Sequence, residues 1–413
     1  MATTDQPAHE AEQDEEEFLE QDDIFVEIDQ GDEPMDEDDD AGGIEGEVVW
    51  EDNSIQHFSG HEGPVYTVSA HPTTPLAVSG GGDDAGYIWD VTDGEIIVKL
   101  TGHTDSVSAV GFSSDGDMVS TGGMDGKVRV WRRVGKEDYK TWEFLTELQG
   151  PDEVIWLRWH PKGPVLVAGS NDSTVWLWQL PSGNTMQVFA GHTGSVQCGE
   201  FTPDGKRIVT ACADNTFIYW DPRSPTPLFK LTGNNARFDL GGITSLAVNP
   251  ASTIAVIGGA EGGVRVVSLS KGEVISALGG HTDGESVEAV AFVNIVAAVD
   301  GTSAPVGSAS ANTVVTGATD GKVCIWDLKT NRLRTTLEHK DAVTGLLVHP
   351  TKPHFVISSS ADHTLRTWDA RAGALVREHK GHQEPINGAA LGQGGEIVVS
   401  ASDDGACLVF GTE

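Results

Sequence analysis

The chain of 413 residues carries 63 Asp and Glu against 26 Lys and Arg, which gives a formal net charge of −37. Such a surface repels phosphate groups, so it argues against nucleic acid or an anionic membrane as a direct partner and favours a basic protein or peptide. The four cysteines lie far apart and form no CxxC pair, and no run of about 18 apolar residues occurs. We therefore expect a reduced, monomeric cytoplasmic protein, with the nucleus as a second compartment.

Residues 1–46 form a region of acidic, low-complexity sequence. Residues 1–53 contain no Lys or Arg and hold more than a third of the acidic residues. Because so few apolar side chains cannot offset the entropy of ordering, we predict a disordered acidic tail. An apolar interruption at residues 23–29 is consistent either with chance hydrophobic residues or with a short docking motif.

From residue 54 onward, a unit of three short period-two segments separated by turn residues is repeated. Most copies open with Gly-His and carry an Asp six residues before the closing residue, and the closing residues stand at 89, 131, 178, 220, 267, 326, 368 and 410. The spacing is 42 or 47 residues, except for one of 59 that includes an Ala/Ser/Val-rich insertion at about 294–312. This pattern resembles the WD repeat.

The eight copies predict an all-β fold, an eight-bladed WD-repeat β-propeller over residues 47–413 with a disordered acidic N-terminal tail. Each copy supplies three strands, and the segment before the next Gly-His supplies the fourth, outer strand. The last copy ends without an outer strand, so we expect the segment near 55–58 to pair with the C-terminal blade and close the ring.

The resemblance also implies a repeated hydrogen-bond network, because in WD-repeat proteins a His, a Ser or Thr, an Asp and a Trp of one blade bond in series. Five complete sets occur: His61, Ser79, Asp83 and Trp89; His103, Thr121, Asp125 and Trp131; His192, Thr210, Asp214 and Trp220; His281, Thr316, Asp320 and Trp326; and His339, Ser358, Asp362 and Trp368. The third copy lacks the His and the hydroxyl, and the fifth lacks all four, so we expect these two blades to be softer.

The same residue types could suggest a hydrolase triad, but their fivefold recurrence together with a Trp favours a structural role. No nucleophile elbow, HExxH motif or phosphate-binding loop accompanies them. We therefore predict a protein that is not an enzyme, with no catalytic residue, no metal and no cofactor.

The loops and turns at one end of the predicted propeller are rich in carboxylates, and propellers bind their partners through such loop faces. The predicted partner-binding residues are Glu62, Asp84, Asp105, Asp152, Glu153, Trp156, Asp283, Glu285, Asp341, Glu384 and Asp403. A ring of carboxylates would recruit a Lys/Arg-rich peptide, although an ordinary solvated rim is the alternative. Trp156 and Tyr66 would add cation–π contacts or pack in the core.

Several stretches point beyond the repeat to one family. They are the acidic tail, Gly80-Gly81-Gly82-Asp83 with Trp89, the segment EVIWLRWHP at 153–161, and DDGACLVF at 403–410. Together they resemble the angio-associated migratory cell protein family, whose fungal members are dedicated chaperones for a large-subunit ribosomal protein of the QM type. The resemblance implies a chaperone for 60S subunit assembly, with the basic N-terminal region of that ribosomal protein as the partner.

Two other functions stay open. Trp368-Asp369-Ala370-Arg371 and Trp220-Asp221-Pro222-Arg223 resemble the box by which some WD-repeat proteins dock onto a cullin-ligase adaptor, which would make the protein a substrate receptor. The other is a generic signalling scaffold, the kind of protein with which the resemblance associates animal members of the family.

Overall fold

The structure, a computed structural model, describes residues 51–135, 139–295 and 312–412. These residues form 32 β-strands in eight four-stranded antiparallel sheets, with a 3-10 turn at Gln393–Gly395. The prediction of an all-β, eight-bladed propeller is confirmed. The predicted tail, its boundary at residue 46 and nearly all of the 294–312 insertion lie outside these ranges. Within them, no helix is long and apolar enough to cross a membrane.

The strands follow the chain in order, four to a blade. Blade 1 contains β2 (Val65–Ala70), β3 (Leu76–Gly81), β4 (Gly86–Asp90) and β5 (Ile96–Leu100); blade 2, β6 (Val107–Phe112), β7 (Met118–Gly123), β8 (Val128–Arg133) and β9 (Trp142–Leu148); blade 3, β10 (Val154–Trp159), β11 (Val165–Ser170), β12 (Thr174–Gln179) and β13 (Asn184–Ala190); and blade 4, β14 (Cys198–Phe201), β15 (Ile208–Cys212), β16 (Thr216–Trp220) and β17 (Pro227–Thr232).

The second half of the ring continues the pattern. Blade 5 contains β18 (Ile243–Val248), β19 (Ile254–Gly259), β20 (Val264–Ser268) and β21 (Glu273–Leu278); blade 6, β22 (Ala289–Val293), β23 (Thr313–Gly317), β24 (Lys322–Asp327) and β25 (Arg332–Glu338); blade 7, β26 (Val343–Val348), β27 (Phe355–Ser360), β28 (Leu365–Asp369) and β29 (Ala374–His379); and blade 8, β30 (Ile386–Gly392), β31 (Ile397–Ser402), β32 (Cys407–Gly411) and, from the other end of the chain, β1 (Gln56–Phe58).

The hydrophobic core lies between neighbouring blades. Second strands such as β3 and β7 are buried along their whole length, whereas the outer strand β21 alternates between exposed and covered residues. One cluster joins Leu76 and Val78 of blade 1 to Val107 and Trp131 of blade 2. Each sheet therefore buries both faces of its central strands against its neighbours, and the burial is shared around the ring.

A glycine in the second strand allows neighbouring blades to approach closely. At four positions, an added Cβ would lie 2.5–2.7 Å from the first valine of the next blade: Gly80 against Val107, Gly122 against Val154, Gly258 against Val287 and Gly317 against Val343. Because real Cβ atoms do not come this close to another atom, a larger residue there would force the blades apart.

The ring closes where the two ends of the propeller meet. Strand β1 pairs antiparallel with β32, with Gln56 opposite Val409 and Phe58 opposite Cys407. The Phe58 ring also stacks on Trp89 of blade 1, at 4.6 Å between centroids. The closing segment therefore contacts both blades at the seam, and the pairing leaves no exposed edge on β32.

Candidate partner-binding face

Two sets of loops meet at one end of the propeller. The inter-blade loops, which join an outer strand to the next inner strand, are hydrogen-bonded to the mid-blade turns, which join the second and third strands. Backbone bonds of this kind link Gly82 to Pro64 (2.8 Å), and Asp403 to Pro385 (3.1 Å). This end carries the ten predicted carboxylates, which we call the acidic face: Glu62, Asp84, Asp105, Asp152, Glu153, Asp283, Glu285, Asp341, Glu384 and Asp403.

Nine of these ten side chains are exposed, and Glu285 is half-buried and accepts a hydrogen bond from Thr319. None of the ten forms an ion pair with a Lys, Arg or His in the ranges that the structure covers. The neighbouring Lys127 and Lys322 lie instead beside the half-buried repeat residues Asp125 (3.7 Å) and Asp320 (3.4 Å). Within the described residues, the carboxylates of the acidic face are therefore not neutralised by ion pairs.

Several of these carboxylates are held in place before any partner arrives. Asp105 accepts the next backbone amide at 2.7 Å, and Asp341 does the same five blades further along the ring. Glu153 accepts the side-chain amide of Asn171 at 2.9 Å. Because these rotamers are already restrained, binding loses less side-chain entropy than it would with free side chains.

The repeat histidines connect the two loop sets. In blade 6, Trp326 donates its indole N–H to the Thr316 hydroxyl (2.9 Å), the hydroxyl donates to Nε2 of His281 (2.7 Å), and Nδ1–H donates to Asp320 (3.2 Å). This direction follows because a carboxylate can only accept. The same His–hydroxyl and His–Asp bonds, at 2.6–3.0 Å, link His61 to Ser79 and Asp83, His103 to Thr121 and Asp125, and His339 to Ser358 and Asp362.

The protonation states agree with a structural role for these groups. Burial lowers the pKa of His61, His103, His192 and His281, which keeps these rings neutral near pH 7. Burial alone would raise the pKa of Asp125, but hydrogen bonds from His103 and from two backbone amides outweigh it and lower that pKa. In blade 2, the neutral His103 ring therefore donates to the ionised Asp125.

Three members of the predicted sets depart from the expected series. Trp220 and Trp368 donate to Thr210 and Ser358 at 2.8 Å, but the buried indole nitrogen of Trp89 has no acceptor, because its ring is oriented by stacking on Phe58. Trp131 packs instead against Arg129 and Phe144, and in the part of the chain described its indole gives no bond to Thr121. In blade 4, His192 and Asp214 stand 3.9 Å apart, because Thr216 bridges them.

Blade 8 contains a triad that sequence reasoning missed. His382 bonds to Ser400 and to Asp404, both at 2.7 Å, although Phe410 occupies the tryptophan position. In the sequence, Gly381-His382 indicates this triad, but the closing residue of the copy is Phe410 and not the Trp of the complete sets. The softness predicted for blades 3 and 5 stays a prediction; the buried Trp178 indole of blade 3 has no hydrogen-bond acceptor.

A second set of bonds, also missed, ties several inner strands to the next. Ser108, Thr344 and Asn387 donate to the carbonyl of the first inner-strand residue of the following blade, at 2.5–3.0 Å. Trp156 makes the equivalent bond to the Val196 carbonyl at 2.9 Å. These inter-blade bonds have no sequence signature, because a Ser, a Thr, an Asn or a Trp can serve equally.

The bond to Val196 fixes the orientation of the Trp156 indole, and a contact with a partner stays a prediction. The side chain is only 5% exposed and belongs to the core between blades 3 and 4, and it also lines the central cavity. Tyr66, in contrast, is 37% exposed beside the same central channel. Tyr66 is the more exposed of the two aromatic residues considered from the sequence, so its ring is better placed to stack on a bound cation.

Two family models and a human protein are similar to this chain. The WD domain, G-beta repeat model matches residues 52–90, 94–132, 142–179 and 183–221, and the Nucleolar protein 10-like, N-terminal domain model matches 229–410. Human angio-associated migratory cell protein is 31% identical over 373 residues, which are 89% of this chain and 82% of the human protein. The chain belongs to the angio-associated migratory cell protein family.

Other similar proteins connect this family to ribosome assembly factors. The Saccharomyces cerevisiae ribosome assembly protein SQT1 is 31% identical over 222 residues, which are 51% of this chain and 50% of SQT1. The crystal structure of Chaetomium thermophilum Sqt1 bound to the N-terminus of the ribosomal protein L10 is similar, with a TM-score of 0.79 and 27% identity. The similarity covers 88% of this chain and all of the Chaetomium Sqt1 chain.

The two Trp-Asp-x-Arg sequences of this family member lie at the end of the propeller opposite the acidic face. Arg371 forks onto Asp369 at 3.3 Å, and Arg223 onto Asp221 at 2.9–3.0 Å. Hydrogen bonding to Arg223 lowers the pKa of Asp221. Both arginines are therefore restrained by their own repeat, on the side away from the acidic face.

A group that could in principle bind a metal occurs in blade 4 of this family member. Ligand atoms of His192, Cys212 and Asp214 lie within 4.8 Å of one another. The ligand atoms of His192 and Asp214 already form hydrogen bonds. His192 Nδ1 bonds to the Thr216 hydroxyl (2.6 Å), and Asp214 accepts hydrogen bonds from both the amide and the hydroxyl of Thr193 (2.7 Å). Burial also raises the pKa of the Cys212 thiol to about 11, which disfavours the thiolate that a metal requires.

Proposed function

We propose that this protein is a non-enzymatic chaperone that binds the basic N-terminal segment of a large-subunit ribosomal protein on its acidic face and holds it for 60S subunit assembly. The observation that carries the proposal is the similarity, over 88% of this chain, to Chaetomium Sqt1 bound to the N-terminus of L10. The proposal implies a monomer that works in the cytoplasm, where ribosomal proteins are made, with access to the nucleus.

Electrostatics supplies a physical mechanism for this function. A basic extension intended for rRNA is prone to bind other polyanions, and ten uncompensated carboxylates at one end of a rigid ring can neutralise it. Such contacts weaken as salt rises, because exposed charges are screened over about 10 Å at 0.1 M salt. Ribosomal RNA carries a denser negative charge than the acidic face, so it would displace the chaperone at the assembly site.

A role without catalysis agrees with where the polar groups lie. The His, Ser/Thr and Asp side chains that could resemble a triad are buried between loops and bonded to one another in blades 1, 2, 6, 7 and 8. A catalytic hydroxyl must reach substrate, whereas Ser79, Thr121, Thr316, Ser358 and Ser400 are fully buried. These groups support the acidic face and do not take part in a reaction.

Mass spectrometry of proteins that co-purify with the tagged chain from cytosol at low salt tests the proposal. We expect one basic large-subunit ribosomal protein as the dominant partner, released as salt is raised. A dominant set of non-ribosomal proteins would instead support the signalling scaffold. Loss of a cullin-ligase adaptor on Arg371→Ala, with ribosomal partners absent, would support the substrate receptor.

A further inference from the structure

The central channel opens in the middle of the acidic face and forms a cavity of about 510 Å³. Its mouth is lined by the second residue of several inner strands, among them Tyr66, Ser108, Ile155 and Asn387. Deeper in the channel, Ser69 and Arg158 line the wall, and both also line a second cavity of about 250 Å³ towards the opposite end. The acidic face therefore surrounds a cavity whose lining contains none of the ten carboxylates.

The lining of this cavity differs in charge from the rim that surrounds it. Arg158 is the one charged side chain among the residues that line it, and it forms no ion pair within the described ranges. Its guanidinium donates to its own strand, at the Leu157 carbonyl. Glu200 of the next blade points to blade 5, where it accepts the Val248 amide at 2.6 Å. A cation that entered the channel would meet Arg158 at depth, beside Glu200, whose pKa is raised by burial to about 7, so the deep part of the cavity lacks the negative charge that the rim carries.

We propose that the cavity receives one uncharged aromatic side chain of the bound basic segment, while the acidic face holds the basic residues on either side of it. This inference rests on the proposed function and adds to it a basis for specificity. Carboxylates alone bind any polycation, whereas a central anchor in a desolvated pocket selects among them. The exposed Tyr66 ring stands at the mouth, where an aromatic guest can pack edge-to-face against it.

Two arginine-rich peptides that differ at a single central residue, Trp or Ala, test this inference on the full chain. At about 0.5 M salt, where screening removes most of the rim attraction, we expect the Trp peptide to bind about tenfold more tightly, which corresponds to about 1.4 kcal/mol. Ser69→Trp fills the cavity from below and should abolish this difference. The matched control, Ala251→Trp, adds the same side chain to an exposed turn at the opposite end and should preserve it.

A second variant keeps the test valid if Ser69→Trp fails to fold. Arg158→Glu leaves the cavity open and reverses the charge at depth, so a peptide with a central Arg should then gain affinity over the Trp peptide. Equal binding of the Trp and Ala peptides to the wild type, with strong binding of both at low salt, would overturn the anchor and leave the acidic face intact. If neither peptide binds at low salt, the proposed function itself fails.

Discussion

Replacing closing tryptophans by phenylalanine tests whether the hydrogen-bond series stabilises the blades. Trp220 and Trp326 donate their indole N–H to Thr210 and Thr316, whereas Trp89 and Trp178 are equally buried and have no acceptor. All four are at most 2% exposed, so the substitution removes similar apolar contact from each. The difference between the two pairs therefore isolates the indole hydrogen bond.

The expected size of that difference follows from general hydrogen-bond energetics. In Trp220→Phe and Trp326→Phe, a bond is lost at a cost of about 1 kcal/mol beyond the lost packing. In Trp89→Phe and Trp178→Phe, the change removes a buried unsatisfied donor, which relieves a penalty of about 1–3 kcal/mol. We therefore expect the first pair to be less stable than the second by about 2–4 kcal/mol.

Urea unfolding of the full chain, followed by far-UV circular dichroism, measures this difference. Unchanged m values serve as the control that each variant unfolds from the same native state. Equal losses in the two pairs would refute the reasoning, and so would a larger loss in Trp89→Phe than in Trp326→Phe.

Three further predictions concern the interior. His382→Ala should cost about 2 kcal/mol or more in the free energy of unfolding, as much as His61→Ala, because both leave a buried hydroxyl and a carboxylate without their partner; a small loss for His382 alone would show that its triad is not formed. Burial raises the pKa of Glu200 from its ordinary 4.5 to about 7, so the folded state binds the proton more tightly and stability should fall as pH rises between these values; Glu200→Gln should remove that slope in urea titrations, and an unchanged slope would assign it to other groups. Trp156→Phe should lower the free energy of unfolding by about 1 kcal/mol, because the inter-blade bond to the Val196 carbonyl is lost, and an unchanged free energy of unfolding would show that this bond does not stabilise the ring.

Sequence reasoning predicted the ring well because its signal is repeated eight times. The spacing of closing residues from Trp89 to Phe410 defined the blades, and the missing outer strand of the last copy indicated the closure that Gln56–Phe58 makes. A single short strand would be ambiguous, but eight copies in phase are not.

The network was predicted less completely, because a residue type does not determine a rotamer. Trp89 is the residue type expected of a donor, yet its ring stacks on Phe58 of the closing strand β1. Trp156 was expected to contact a partner for the same reason: an aromatic residue near a loop can turn to solvent or to the core. Only the neighbouring blade, whose Val196 carbonyl accepts the indole N–H, decides between these orientations.

The central claim, that the acidic face binds a basic segment, is tested most directly by comparing two charge-reversal variants that have the same net charge. Asp105→Lys combined with Glu153→Lys alters the acidic face, and the matched control, Glu273→Lys combined with Glu396→Lys, makes the same charge change at exposed sites away from it. Binding of the ribosomal protein's N-terminal peptide is measured for both at several salt concentrations. We predict at least about tenfold weaker binding and a shallower salt dependence for the first variant, with near wild-type binding for the second. Equal affinities and equal salt dependence in both variants would contradict the account.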